Sequence, residues 1–221
     1  ASNVDIDLEK LRKHKDETVK RLTGGVKLLL DKGGVKVYDG TASFVSSKEI
    51  EVVKDTSKTR IEAEYFIIAT GTTPMELPMI KTDGNIVIGA RESINIPRVP
   101  KTMGVIGAGP IGVEMATVYN TLGAKVTIIE LLDAVLPTLD QDVSKASERE
   151  MKKQGMEIFT SSKVVSSKKV GDKIEVEVET PQGKKNLTFD MVLVAAGMKP
   201  NTAGLNLEKA GVKTDSKGFV I

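Results

Sequence analysis

The chain of 221 residues contains no cysteine and no tryptophan, and only one histidine. The lack of cysteine excludes disulfides, thiolate metal sites and thiol nucleophiles within these residues. Aromatic residues make up 4% of the sequence, and no apolar run approaches the roughly 20 residues of a membrane-spanning helix. The sequence therefore predicts neither a metal site nor a membrane segment.

A surplus of charge of one sign is also missing. The 32 basic and 30 acidic side chains nearly cancel, and no long run of one sign occurs. Proteins that bind nucleic acids or membrane surfaces need a basic footprint. We therefore expect no nucleic-acid partner and no membrane partner. The opening residues, ASNVDIDLEK, are too acidic for a signal or transit peptide.

The beginning of the chain has the pattern of a helix. Apolar residues between Leu8 and Leu29 recur mostly at steps of three or four, and Gly33-Gly34 ends the pattern. The single histidine, His14, lies between two lysines on the polar side of this helix. We interpret it as part of a solvated face.

Short strand-like runs follow the helix. Residues 35–38, 42–45 and 50–53 are separated by turn-rich pieces and predict an antiparallel meander. The continuous apolar run YFIIAT, residues 65–70, predicts a strand buried on both faces. Residues 71–100 are rich in proline and turn formers, which predicts a linker.

After residue 100 the pattern alternates between strands and helices. We expect a strand at MGVIG, a helix over 110–122, a strand over 125–130 and a helix over 140–154. Strand patterns recur in EIFTSSKVV, KIEVEVET, KKNLTF and MVLVAAG. The fold class predicted is α/β, with a Rossmann-like βαβ unit and a β-meander. We place the domain boundary between residues 99 and 100.

One loop in this second half carries a recognisable motif. The residues GAGPIG at 107–112 fit G-x-G-x-x-G, which is a weak signal alone. Here a strand precedes the motif, a helix follows it, and a second strand ends in an acid. Gly107 permits the tight turn, Gly109 the approach of a pyrophosphate, and Gly112 close packing of the helix on the strand.

The acid at the end of the second strand is Glu130. It follows the last glycine at close to the spacing of about 20 residues expected for a ribose-binding acid. A carboxylate there accepts hydrogen bonds from the 2′-hydroxyl of NAD and repels the 2′-phosphate of NADP. The following residues, LLDA, provide no cation for such a phosphate. We expect a preference for NAD; the alternative is a glycine turn in an ordinary βαβ unit.

With these motifs together, the chain resembles the flavin-dependent disulfide reductases, the pyridine nucleotide-disulfide oxidoreductases. The resemblance extends over essentially the whole chain, and within the family it is strongest to the dihydrolipoamide dehydrogenases. The segments that carry it are RLTGGVKLLL, IIATGTTP, VIGAGPIGVEMATVYNTLGAKVTIIE, PTLDQDVSK and LVAAGMKPNT.

The resemblance implies a domain organisation. Residues 1–99 correspond to the C-terminal part of a second Rossmann-like domain, which binds FAD, and residues 100–221 to the NAD-binding domain. The family's first glycine fingerprint, redox cysteine pair, dimerisation domain and catalytic histidine have no counterpart here. We therefore expect no catalytic residue in this chain, and an internal piece of the enzyme.

The resemblance also implies site residues by matched position. The residues expected at the NAD site are Gly107, Ala108, Gly109, Pro110, Ile111, Gly112, Val113, Glu114, Glu130, Val164 and Gly197. The residues expected at the FAD site are Ala42, Thr70, Gly71 and Thr72. Pro110 matches the residue that gates the nicotinamide pocket, and Glu114 a glutamate near the flavin. Where relatives have Gly-Arg-x-Pro, this chain has GMKP at 197–200.

The implied activity is transfer of hydride between FAD and NAD during oxidation of protein-bound dihydrolipoamide. The implied partners are a lipoyl-bearing protein of a 2-oxoacid dehydrogenase or glycine cleavage system, and a second copy in a homodimer. The implied location is the cytoplasm or the mitochondrial matrix. Two alternatives stay open: another NADH-dependent flavoprotein, such as an NADH oxidase or a coenzyme A disulfide reductase, and a non-catalytic NAD-binding module.

Overall fold

The structure is a computed structural model that describes residues 6–221. Its helices are α1 (Leu8–Lys32), α2 (Ala90–Ser93), α3 (Pro110–Thr121) and α4 (Gln141–Lys153), with a 3₁₀ turn at Leu207–Ala210. Its strands are β1 (Thr41–Ser46), β2 (Glu49–Lys54), β3 (Ser57–Glu62), β4 (Thr72–Pro74), β5 (Val87–Gly89), β6 (Thr102–Ile106), β7 (Lys125–Ile129), β8 (Glu157–Phe159), β9 (Lys163–Val170), β10 (Lys173–Thr180), β11 (Gly183–Phe189), β12 (Met191–Val194) and β13 (Met198–Pro200).

The chain divides into two compact units. The first unit contains the residues up to Lys13 and Pro74–Gly197, and the second contains His14–Thr73 and Met198–Ile221. The boundary predicted between residues 99 and 100 concerns which residues fold on their own, and it stays a prediction.

The first unit is built on a parallel sheet with the order β5-β12-β6-β7-β8. The central strands are mostly apolar and buried, as expected for a parallel sheet that is covered on both faces. Val105, Ile128 and Leu193 are fully buried in it. On α3 the ring of Tyr119 is also buried, and its hydroxyl donates to the carbonyl of Ser93 at 3.0 Å. The predicted α/β class is confirmed.

A three-stranded antiparallel sheet, in the order β11-β10-β9, completes the first unit. Its middle strand alternates as expected: Ile174, Val176 and Val178 are buried, whereas the glutamates between them face outward. One face of this sheet therefore packs on the core, and the other face is exposed to solvent.

The second unit contains the antiparallel meander β1-β2-β3. Two of the three strands predicted for a meander are confirmed as β1 and β2, and the third strand observed, β3, is one that the sequence pattern did not predict. Phe44 and Phe66 pack edge to face with ring centroids 5.3 Å apart. Helix α1 begins and ends as expected, but none of its residues is buried. Leu22 and Leu29 are 61% and 71% exposed.

Two strand predictions in this unit are wrong. Residues 65–70 form no strand, and Ile67 is 94% exposed. Residues 35–38 also form no strand. An extended segment becomes a strand only when a neighbour satisfies its backbone groups. Within residues 6–221 neither segment has such a neighbour. Apolar character alone was therefore not enough to form a strand.

The predicted linker over residues 71–100 is also wrong in part. Strand β5 lies in this stretch and joins the parallel sheet beside β12, and its three residues are buried. The short helix α2 follows it directly. Strand β5 has only three residues and lies among turn formers, so the sequence there shows no alternation of apolar and polar residues typical of a strand.

Candidate functional site

A crevice opens at the carboxyl ends of the parallel strands, between β6 and β12. From β6 the chain passes through α3 to β7 on one side, and it reaches β12 on the other side only after the antiparallel sheet. The strand order therefore reverses at β6, which is where open α/β sheets bind their ligands. Gly107 follows β6, and Ala195 follows β12 and donates from its backbone to Ile106 at 2.8 Å.

The first turn of the crevice requires glycine at two positions. Gly107 has φ +102°, and a Cβ there would overlap the carbonyl of Ala195. A Cβ on Gly112 would overlap the carbonyl oxygen of Gly107. The first glycine therefore makes the turn, and the second lets α3 approach β6.

Gly109 is glycine for a different reason. Its φ of −71° suits any residue, and a Cβ would meet no atom within 4 Å. It is the N-cap of α3, and Pro110 is the first helical residue. The N–H groups of a first helical turn have no partner within the helix and favour anions. The open space at Gly109 and these donors fit the diphosphate of a dinucleotide.

Glu130, the residue after β7, is 7% exposed and its carboxylate is held from two sides. Its Oε2 accepts from the backbone N–H of Ala108 at 2.5 Å, and its Oε1 accepts from the N–H of Leu132 at 2.8 Å. Each carboxylate oxygen has a second lone pair. The side chain can therefore still accept hydrogen bonds from ribose hydroxyls.

These features line one cavity of about 570 Å³ in the first unit, a volume typical of a small-molecule site. Five of the residues predicted for the NAD site line it: Gly107, Gly109, Glu130, Val164 and Gly197. Ala108 touches the site through its hydrogen bond to Glu130.

The other predicted NAD-site residues lie outside this lining. Gly112 lies beneath the turn, and Ile111 and Val113 pack against the core below it. Pro110 and Glu114 are exposed on the first turns of α3. The structure therefore gives Ile111 and Val113 a packing role, whereas Pro110 and Glu114 point away from the core.

Several residues of the lining were not predicted from the sequence. They are Met75, Leu77, Met79, Ile106, Ile129, Leu131, Leu132, Pro137, Thr138, Ser162, Lys163, Ala195 and Ala196. Most of them follow directly from the parallel sheet, because they lie at or just after strand ends. The first three come from the predicted linker, where no local pattern could have placed them.

Lys163 is the one cation in this lining. It begins β9, opposite Glu179 of β10. The Oε1 atom of Glu179, however, lies 3.8 Å from the Nζ atom of Lys184. The residues that directly follow Glu130, LLDA, include no cation. The structure supplies one from a different strand.

The residues predicted for FAD lie in the second unit. Ala42 and Thr70 line a cavity of about 90 Å³ together with the two packed phenylalanines. The carbonyls of Thr70 and Gly71 accept from the side chain and the backbone of Asn201. Thr72 is exposed at the start of β4. The structure brings Ala42 and Thr70 together and leaves the other two outside this small cavity.

Metal sites and membrane spans are both missing from residues 6–221. No group of three or more histidine, aspartate or glutamate side chains is placed to hold a metal ion there. No helix in the same range has the length and apolar character that crossing a membrane requires.

Comparison with known proteins places the chain in a family. Residues 2–221 match the pyridine nucleotide-disulphide oxidoreductase family. The chain belongs to this family. It is 39% identical to the mitochondrial dihydrolipoyl dehydrogenase of Schizosaccharomyces pombe, over 100% of this chain and 44% of that protein.

Solved structures, among them those of a flavoprotein disulfide reductase, have the same fold. LpdA from Mycobacterium tuberculosis matches 98% of this chain and 48% of its own with a TM-score of 0.86 and 25% identity. The copper(II) complex of a C43S mutant of the HOCl-induced flavoprotein disulfide reductase RclA from Escherichia coli matches 97% of this chain and 50% of its own. The TM-score is 0.82 and the identity 26%. The chain thus spans about half the length of the relatives it matches.

Proposed function

We propose that this chain is the NAD(H)-binding portion of a dihydrolipoamide dehydrogenase. The observation that supports the proposal is the convergence in one cavity of the glycine turn, the open N-terminus of α3 and the buried carboxylate of Glu130. The N-terminus of α3 binds the diphosphate, and Glu130 accepts hydrogen bonds from the adenosine ribose. Bound NAD supplies the hydride acceptor.

The contribution of the chain itself is binding and orientation. The apolar side chains Met75, Leu77 and Met79 form one wall of the cavity and exclude water from that side. In the whole enzyme, FAD, a redox cysteine pair and a second copy complete the reaction centre, and a lipoyl-bearing protein delivers the substrate. Ala42 and Thr70 belong to the FAD side in this proposal. The similarity to dihydrolipoyl dehydrogenase supports this choice of substrate.

A titration of this chain with NADH, NADPH and ADP tests the binding proposal. We expect saturable binding of NADH, comparable competition by ADP, and binding of NADPH weaker by about tenfold or more, because Glu130 repels the 2′-phosphate. Absence of NADH binding, or equal affinity for NADPH, contradicts the proposal. Gly109→Ala serves as the matched variant, since it fills the diphosphate position without overlapping any other atom.

A second candidate is another NADH-dependent flavoprotein of the family. The structural match to RclA, a flavoprotein disulfide reductase, favours it. Assays of the whole protein with dihydrolipoamide and with NADH plus oxygen separate the two candidates. A non-catalytic NAD-binding module is excluded if the whole protein carries flavin absorption.

A further inference from the structure

The carboxylate of Glu130 is stabilised by the glycine turn before any nucleotide is bound. The N–H of Ala108 comes from the turn, and the N–H of Leu132 from the loop after β7. Both donors are backbone groups. Hydrogen bonds to an ionised acceptor are about twice as strong as neutral ones, so the contact constrains the turn as well as the side chain.

Both backbone polar groups of Ala108 are engaged in hydrogen bonds. Its N–H donates to Glu130, and its carbonyl accepts from the N–H of Leu136 at 2.8 Å. Leu136 has φ +47°, which is a costly conformation for leucine. The next two residues, Pro137 and Thr138, line the cavity. A chain of hydrogen bonds therefore connects the carboxylate, the glycine turn and the cavity wall.

We propose that Glu130 is a positioning residue for the glycine turn, in addition to its role toward the ribose. It fixes the backbone at Ala108, and through it the turn that receives the diphosphate, so that the free protein already has the binding conformation. This inference rests on the proposed NAD(H) function. Preorganisation reduces the ordering cost of binding, so part of the affinity contributed by Glu130 does not depend on the ribose hydroxyls.

Glutamine at position 130 separates the two roles. Its amide has the shape of the carboxylate but carries one acceptor oxygen and one NH₂ donor. One of the two backbone N–H groups, on Ala108 or Leu132, then faces a donor instead of an acceptor. Glu175→Gln is the matched control, because Glu175 lies on the exposed face of β10.

The first experiment measures ADP and 2′,3′-dideoxy-ADP binding calorimetrically for the wild type and for Glu130→Gln. We expect Glu130→Gln to weaken both ligands, and dideoxy-ADP by about fivefold or more, which corresponds to loss of one hydrogen bond. Glu175→Gln should change neither affinity. If Glu130→Gln weakens ADP but leaves dideoxy-ADP unchanged, Glu130 acts on the sugar alone and the inference is wrong. If the wild type binds neither ligand, the NAD(H) proposal itself fails.

A second experiment needs no ligand. Amide hydrogen exchange in the nucleotide-free wild type should show the Ala108 N–H protected by about a hundredfold or more, because its acceptor is a buried carboxylate. In folded Glu130→Gln this protection should fall, whereas that of Ala116, buried in α3, should not. An Ala108 N–H that exchanges like an exposed loop amide in the wild type overturns the inference.

Discussion

The Oε2 atom of Glu130 lies 2.5 Å from the backbone nitrogen of Ala108, a residue 22 positions earlier in the chain. This contact joins the end of β7 to the turn after β6, the two neighbouring strands from which the crevice is built. The acid at the end of β7 therefore stabilises the backbone of the glycine turn as well as lining the cavity beside it.

Replacing Glu130 by arginine should reverse the nucleotide preference at a cost in affinity. The new side chain removes the ribose acceptor and offers a partner to a 2′-phosphate, so we expect NADH binding to weaken by about tenfold or more and the NADH:NADPH affinity ratio to fall below one. Titration of both nucleotides measures the ratio. Because the hydrogen bonds to the backbone of Ala108 and Leu132 are lost as well, the best NADPH affinity should stay below the wild-type NADH affinity.

Two other charged residues, Glu175 and Lys163, provide the controls for this reversal of nucleotide preference. Glu175→Arg makes the same charge change on the outer face of β10 and should leave the ratio unchanged. Adding Lys163→Ala to Glu130→Arg should remove part of the gain in NADPH binding, because Lys163 lines the same cavity. A ratio unaffected by Glu130→Arg would contradict the assignment of Glu130 as the selector.

Alanine at the two glycines around the start of α3 should affect different properties, namely stability at Gly112 and nucleotide binding at Gly109. Gly112→Ala introduces a methyl group that overlaps the carbonyl of Gly107, so we expect a loss of about 3 kcal/mol or more in the free energy of unfolding. Gly109→Ala meets only open space. It should melt within a few degrees of the wild type but bind NADH at least about tenfold more weakly. Thermal melting and NADH titration of both variants test the contrast, which equal effects on melting would refute.

Asp190 gives the fold a predictable dependence on pH. Its burial opposes ionisation, but hydrogen bonds from the N–H and hydroxyl of Thr102, with the ammonium of Lys173 at 3.3 Å, outweigh that effect and lower the pKa of Asp190. A lowered folded-state pKa adds stability above the unfolded value of about 3.9, and that stability disappears as the pH falls through the folded value.

Asp190→Asn should therefore lower the melting temperature at pH 7 by several degrees, since a half-buried charged acceptor is lost. The difference from the wild type should be the same at about pH 7 and pH 5 and should shrink below about pH 4. Asp172→Asn, at an exposed turn, is the control and should have little effect. A difference in melting temperature that grows as the pH falls would contradict a lowered pKa of Asp190 in the folded state.

Hydrogen exchange should divide the chain by sheet membership. Amides in the buried strands β6, β7 and β12 should exchange at rates set by global unfolding, whereas those of residues 65–70 should exchange close to the rate of a random coil. Residues 87–89 should be protected, because β5 pairs with β12. Mass-spectrometric exchange of the intact chain resolves these segments, and equal protection of 65–70 and β6 would contradict the structure.

The sequence predicted the βαβ unit well because its signals are local. The glycines at 107 and 112 and the acid at 130 lie on consecutive elements, and their spacing follows from the length of one strand and one helix. Val164 and Gly197 could be assigned only through the resemblance, since backbone contacts leave no side-chain signature. That these residues bind NAD stays a prediction.

The failures have a common physical cause. Residues 65–70 have the apolar run of a buried strand, but strand formation depends on hydrogen-bond partners that a single segment does not report. Met75, Leu77 and Met79 reach the cavity because β5 and the segment before it pack beside β12, a contact between distant parts of the chain. Patterns within a short window carry no information on such contacts.

The two hydrogen bonds that engage the backbone of Ala108 have an evolutionary consequence. If Glu130 binds the coenzyme as proposed, a substitution at position 130 alters the nucleotide contact and disturbs the turn in the same step, so a lineage that changes this codon alone changes its coenzyme preference only at a cost in affinity. Coenzyme preference and the geometry of the glycine turn would then evolve together rather than separately.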